Sequence, residues 1–244
     1  MKSIAKILLA ALLLGGATYT YAKTNPVVKV NSSDIVDRHL SGFNAINLAG
    51  PFDIYLTQGN TESVKVEAPS DMMSHILTEV NNGVLKVYSK HETFNWGNLF
   101  RHKKIVIYVT AKDLNSINIS GSGDIHFREG ITANFLKLNI SGSGDMTGKI
   151  EVKQLESSIT GSGDMSLSGR ANSAIVKIVG SGDYTARDLT TASTAVRVSG
   201  SGDAYIYASE KVDAAVNGSG DIHYSGNPKN VSKSKSGSGD IHGN

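Results

Sequence analysis

Seven aspartates recur along this chain inside one tetrapeptide, Gly-Ser-Gly-Asp: Asp124, Asp145, Asp164, Asp183, Asp203, Asp221 and Asp240. A degenerate copy, Gly50-Pro51-Phe52-Asp53, precedes them. A column of carboxylates ~5 Å apart would repel by a few kcal/mol per neighbouring pair at an effective dielectric near 20. Two kinds of chemistry could offset that. Calcium takes about six to eight oxygens, and the alternative is hydrogen bonding from turn N–H groups and from hydroxyls such as Ser122 or Ser143. Calcium-binding β-rolls repeat GGxGxDxUx with a period near nine. Here the intervals between aspartates are 21, 19, 19, 20, 18 and 19, with no GGxGxD. Hydrogen bonding is the expected offset, and no cofactor or metal is expected. The turns also lack GxGxxG and GxxxxGK[ST], and no helix follows to lend its dipole, so they read as tight corners rather than phosphate loops.

Other residues carry chemistry of their own. Two positions after each Asp stand Tyr55, His126, Thr147, Ser166, Thr185, Tyr205, His223 and His242. His223 and His242 would be neighbours and could begin a transition-metal site, but no third ligand is identifiable. Tyr205, Tyr207 and Tyr224 could offer a sugar a stacking platform, or be scattered surface aromatics. The stretch HETFNWGNLFRHKK (91–104) holds Phe94, the sole tryptophan Trp96, Phe100 and Arg101, followed by His102, Lys103 and Lys104. Aromatics beside cations suit glycan stacking or an acidic partner. The same loop could equally fold over an open end of the fold as a cap. The candidate binding residues are therefore Phe94, Trp96, Phe100, Arg101, Tyr205 and Tyr207. Neither GxSxG nor HExxH occurs, and the acidic residues recur evenly, with no break in the repeat to mark an active site. No catalytic residue is assigned.

What positions these residues is the repeat. A period near 20 is a solenoid signature. Four residues before the first Gly stand Ile46, Ile117, Leu138, Ser157, Val176, Val196, Ala214 and Lys233. Two before it stand Leu48, Ile119, Ile140, Ile159, Ile178, Val198, Val216 and Lys235; just after the Asp stand Ile54, Ile125, Met146, Met165, Tyr184, Ala204, Ile222 and Ile241. Alternating apolar positions mean strands with one buried face. Each coil reads as a strand, a GSGD corner, a short strand and a looser return. The reading is an all-β, right-handed parallel β-helix, since the strict hexapeptide pattern of the left-handed form is missing. The last copy, with Lys233 and Lys235 at apolar positions, fits a terminal coil that blocks end-to-end pairing. Residues 43–48, 52–57, 63–68, 84–89 and 104–110 read as further strands, and 69–71 as the start of a helical turn. Residues 23–115 form a β-rich N-terminal cap joined to the solenoid of 116–244.

The first 22 residues read as a secretory signal peptide: Lys2 and Lys6, a short apolar run Ile7–Leu14, and small Ala22 at the cut. Its removal takes away two lysines, leaving 22 basic and 22 acidic residues. No basic stripe asks for nucleic acid. The cleaved chain is not expected to span a membrane, and with no cysteine it can carry neither disulfides nor a lipidated N-terminal cysteine.

The chain resembles the GIN-domain family of autotransporter adhesin heads. The resemblance rests on the serial SGSGD turns, FNAINLAGPFDIYLTQG (43–59), VNNGVLKVYSK (80–90) and GSGDIHYSGNP (218–228). It covers roughly 38–244, as one GIN-type domain. It implies a right-handed parallel β-helix in a secreted or surface-exposed bacterial protein, and it carries over no catalytic or binding residue. No membrane-barrel segment is expected before the end at Asn244, so self-export is not expected. The expected function is a secreted, non-enzymatic binding or adhesion module for a surface glycan, an envelope component or a protein, in periplasm, on the surface or in the medium. The alternatives are a polysaccharide-active β-helix enzyme and a calcium-stabilised structural protein.

Overall fold

A computed structural model of the chain describes residues 33–90 and 104–243. These residues form a parallel β-solenoid closed at one end by antiparallel strands. Strands leading into the corners stack in register: Val84–Ser89, Ala45–Ala49, Ser116–Gly121, Ile131–Gly142, Met146–Gly161, Met165–Gly180, Leu189–Gly200, Lys211–Gly218 and Asn230–Gly237. Strands leaving the corners stack beside them, from Val106–Ala111 through Asp53–Gln58 and Ile125–Phe127 to Ile222–Ser225 and Ile241–Gly243.

The stack order departs from the chain order at one place. Residues 45–58 lie between the strands Val84–Ser89 and Val106–Ala111 on one side and the coil that starts at Ser116 on the other. The end of the solenoid is therefore built from Val84–Ser89 and Val106–Ala111. Against it, Ile76–Asn81 pairs antiparallel with Val84–Ser89, Ser63–Pro69 with Val106–Ala111, and Ser33–Asp37 with Ser63–Pro69. A short 3-10 turn, Met73–His75, follows Pro69, close to where the sequence suggested one. Arg38 ties this region together by donating to Met73 O and Ile76 O.

The three apolar columns read from the sequence are the core. Ile46, Leu48, Ile54, Ile117, Leu138, Ile159, Met165, Ile178, Val196 and Ile222 are all buried. Each such side chain contributes roughly 1.5–3 kcal/mol on leaving water, and only stacking can bury it, because one coil has no second face of its own. The return segments are more regular than expected. Residues 131–133, 150–152, 169–171 and 189–191 pair as a third sheet. The Gln58 side chain closes one edge of it, accepting from Thr132 N–H at 2.7 Å and donating to Thr132 O at 3.0 Å.

The corners explain their glycines. The first Gly has positive φ, +134° at Gly142, which a side chain rarely tolerates. The second is required by space: a Cβ on Gly163 would stand 2.1 Å from Gly144 O of the neighbouring coil.

Candidate functional site

The GSGD corners stack into one ridge, and three hydrogen bonds join each corner to its neighbour. Ser162 and Gly163 both donate their N–H to Gly142 O, at 2.9 and 3.1 Å. Asp164 N–H donates to Asp145 Oδ1 at 2.8 Å. The Asp-to-Asp bond recurs without interruption from Asp145 on Asp124 to Asp240 on Asp221. The offset to carboxylate repulsion is thus hydrogen bonding, but from the next coil's peptide rather than from the serine hydroxyl of the same corner. Ser122, Ser143, Ser162, Ser181, Ser201, Ser219 and Ser238 all face solvent instead. Bonds to a charged acceptor contribute about 1.5–3 kcal/mol, enough to exceed the repulsion at a solvated surface.

Lysines finish the column at both ends. Lys104 Nζ lies 2.7 Å from Asp53 Oδ2, and the Asp53 hydrogen bond and charge raise the Lys104 amine above its ordinary value. At the other end Lys235 pairs with Asp240, and that hydrogen bond lowers the Asp240 carboxyl below its ordinary value.

Beside the ridge runs the column of residues two after each Asp. Tyr108 extends it onto the terminal coil, aligned with Tyr55. Tyr108 and Tyr55 stack with centroids 6.0 Å apart, and Tyr55 and His126 lie 5.3 Å apart. His126 Nδ1 reaches Thr147 Oγ1 at 2.8 Å. After the hydroxyls of Thr147, Ser166 and Thr185 the rings resume: Tyr205 on His223 at 4.8 Å, His223 on His242 at 5.1 Å. The two histidines are thus a stacked pair. Among the described residues no group of three or more His, Cys, Asp or Glu is arranged to hold a metal ion.

The tyrosines proposed as a sugar platform have three different placements. Tyr205 has both ring faces covered, by His223 and by the Arg187 guanidinium at 4.1 Å; it presents its edge and hydroxyl. Tyr224 aligns with buried Ile206 and packs against the core under the Lys233 amine, 4.8 Å from its centroid. It belongs to the closure of the last coil, not to the outer face. Tyr207 points outward into a separate groove with Arg170, Asn172, Thr190 and Ser209. Phe94, Trp96, Phe100 and Arg101 lie outside the described residues. The strands flanking their segment are described: Tyr88 aligns with Ala49 and Val106 with Asp53.

The comparisons agree with this architecture. The family described as "Putative auto-transporter adhesin, head GIN domain" matches residues 42–228. The chain belongs to the GIN-domain family. A crystal structure of a "putative adhesin" from Bacteroides fragilis is similar at TM-score 0.81 and 28% identity, covering 87% of this chain and 97% of that one. A "putative lipid binding protein" from Parabacteroides distasonis is similar at TM-score 0.70 and 25% identity, over 88% of this chain and 98% of that one. A "putative adhesin" from Parabacteroides merdae, 22% identical over 88% of this chain and 97% of that one, shares the fold at TM-score 0.70. No curated protein matches the sequence.

Proposed function

We propose that this GIN domain is an exported, non-enzymatic adhesin-type module that binds a surface glycan or another envelope component through the ridge and the column beside it. One observation carries the reading. Polar groups on this face are distributed one set per coil, ~4.8 Å apart, rather than converging on one point as a catalytic site requires. Serine hydroxyls, the Asp ridge, and then Thr147, Ser166 and Thr185 form parallel rows. Rows of weak, equivalent contacts suit avidity toward a repeating polymer. Family membership and the 28% identical adhesin support the same class. The neighbour named for lipid binding suggests a second reading, but among the described residues the exposed apolar side chains do not gather into a patch. Phe135 faces Gln154 in register, Ile175 lies between Glu156 and Ala195, and Val179 between Thr160 and Ser199.

The test is retention on immobilised envelope polysaccharide of the protein and of a Thr147→Lys, Ser166→Lys, Thr185→Lys variant. These side chains lie on the outer face, so the variant should stay folded, with a melt lowered modestly by three stacked cations and the lost Thr147–His126 contact. A tenfold or greater loss of retention is expected; unaltered retention overturns the assignment of this face.

A further inference from the structure

The repeat does contain a break. The interval from Asp183 to Asp203 is 20 residues and the next, Asp203 to Asp221, is 18. The short coil has no return strand. Leu189–Thr191 pairs with 169–171 on one side, while on the other side pairing resumes only at Ser193 with Lys211. The third sheet ends there in mid-solenoid, and the step leaves a groove of about 370 Å³ lined by Arg170, Asn172, Thr190, Tyr207 and Ser209. That volume lies in the range of small-ligand sites, about 300–1,000 Å³.

The chain has adapted around this step. Thr191 and Thr194 stand in inward columns that are otherwise apolar. Their hydroxyls lie 2.7 Å apart, and Thr191 Oγ1 donates to Tyr207 O at 2.6 Å. Ser209 N–H donates to Thr191 O at 3.0 Å. A mere deletion would leave the Tyr207 and Thr191 carbonyls unpaired at a sheet end; here each has a partner, so the groove has a fixed floor.

We propose that this groove binds a carboxylated sugar. Arg170 makes no ion pair among the described residues, although Glu151 stands beside it in register. Its guanidinium is thus open for a bidentate bond to a carboxylate. Tyr207 has no aromatic or cationic side chain against its ring among the described residues, unlike Tyr205. Its ring sits over Gly226, where a Cβ would come within 3.0 Å of Tyr207 Cζ. A free ring face beside a free guanidinium, with the Asn172 amide and the Thr190 and Ser209 hydroxyls along the rim, matches a ring that is apolar on one face, hydroxylated at its edge and negatively charged at one substituent. The groove is independent of the ridge and its neighbouring column.

The experiment is calorimetric titration of the full chain with a glucuronic-acid disaccharide, with its neutral glucose counterpart and with an oligoglutamate peptide. The acidic disaccharide should bind at least tenfold more tightly than the neutral one. Arg170→Ala should abolish that preference, and Arg170→Lys should restore only part of it, because the planar fork is lost. Tyr207→Ala should weaken both sugars about tenfold, and Tyr207→Phe should not if the ring face does the work. The Thr147, Ser166, Thr185 lysine variant should bind as the parent does, which separates this site from the outer face. Equal binding of the two sugars, no binding at millimolar concentration, or indifference to Arg170→Ala overturns the proposal. Oligoglutamate binding through Arg170 more tightly than the sugar would also overturn it, in favour of an acidic protein partner.

Discussion

Replacing Asp164 tests whether the ridge is held by a balance of hydrogen bonding and repulsion. Its Oδ1 accepts Asp183 N–H at 2.8 Å, and its carboxylate lies one coil from Asp145 and Asp183. Repulsion at ~5 Å is about 0.8 kcal/mol per neighbour in a water-like dielectric, so removing the charge relieves roughly 1–2 kcal/mol over two neighbours at low salt. Asp164→Ala also deletes a charge-assisted bond of about 1.5–3 kcal/mol and strands the Asp183 N–H, so it should destabilise by about 1 kcal/mol. Asp164→Asn keeps a neutral acceptor of roughly half the strength; its loss and its relief nearly cancel, leaving it within about 0.5 kcal/mol of the parent. In 1 M NaCl, where the Debye length is about 3 Å, the relief vanishes and the Asn variant should fall about 1 kcal/mol below the parent. Urea unfolding followed by circular dichroism, at low and high salt, measures this. Equal stabilities of the Ala and Asn variants at low salt, or no change in the Asn-to-parent gap with salt, would refute the balance.

Two other sites make equally definite predictions. The Tyr184 hydroxyl is buried against Ser157, and neither oxygen makes a well-formed hydrogen bond; burial pushes the phenol well above its ordinary value. Tyr184→Phe should therefore be neutral or stabilising by up to about 1 kcal/mol at neutral pH. A phenol whose folded value is raised stabilises fully below its unfolded value near 10 and loses that stability as pH rises beyond it. The Phe variant should resist alkaline unfolding to a higher pH, and a marked destabilisation at neutral pH would show that the hydroxyl has a working partner. In the last coil, Lys233 and Lys235 occupy the columns of Ala214 and Val216, and Lys233 Nζ donates to Ile241 O at 3.1 Å. Lys233→Val with Lys235→Val should turn this open edge into a pairing surface, seen as concentration-dependent mass growth in light scattering; a mass identical to the parent's would refute the end-blocking role. The lowered Asp240 carboxyl stabilises above the unfolded carboxylate value, and this is lost as pH falls through the folded value. The protection of amides in residues 230–243 against exchange should therefore fall selectively in acid.

The columns and corners of the solenoid were legible because both are matters of residue type at fixed spacing: Ile119, Ile140, Ile159 and Ile178 repeat, and so do the glycines that no side chain could replace. The order of the first coils was not. VLKVYS (84–89) alternates like any half-buried strand, but nothing in its composition says that it stacks outside residues 45–49 rather than after them. The partner of each Asp was hidden for a similar reason. It is a peptide N–H of the next coil, available at every residue type, so only coil spacing and carbonyl direction select it.

The tyrosines and the break were readable by counting. Measured from the Asp of its own coil, Tyr205 is at the second position, Tyr207 at the fourth and Tyr224 at the third, so the period of two already sends Tyr224 inward. The intervals 20 and 18 stand side by side in the sequence. Taken as scatter about a mean of 19 they carry nothing; taken in order, they say that one coil lacks what its neighbour has. In a fold whose rungs stabilise one another by repetition, a missing return segment exposes backbone and side chains that the four coils before it cover. Arg170, Tyr207 and the paired Thr191 and Thr194 lie at that step and at no other. The regular coils set the length and spacing of the adhesive face, and the step where the return sheet stops supplies the concavity that a regular solenoid cannot form.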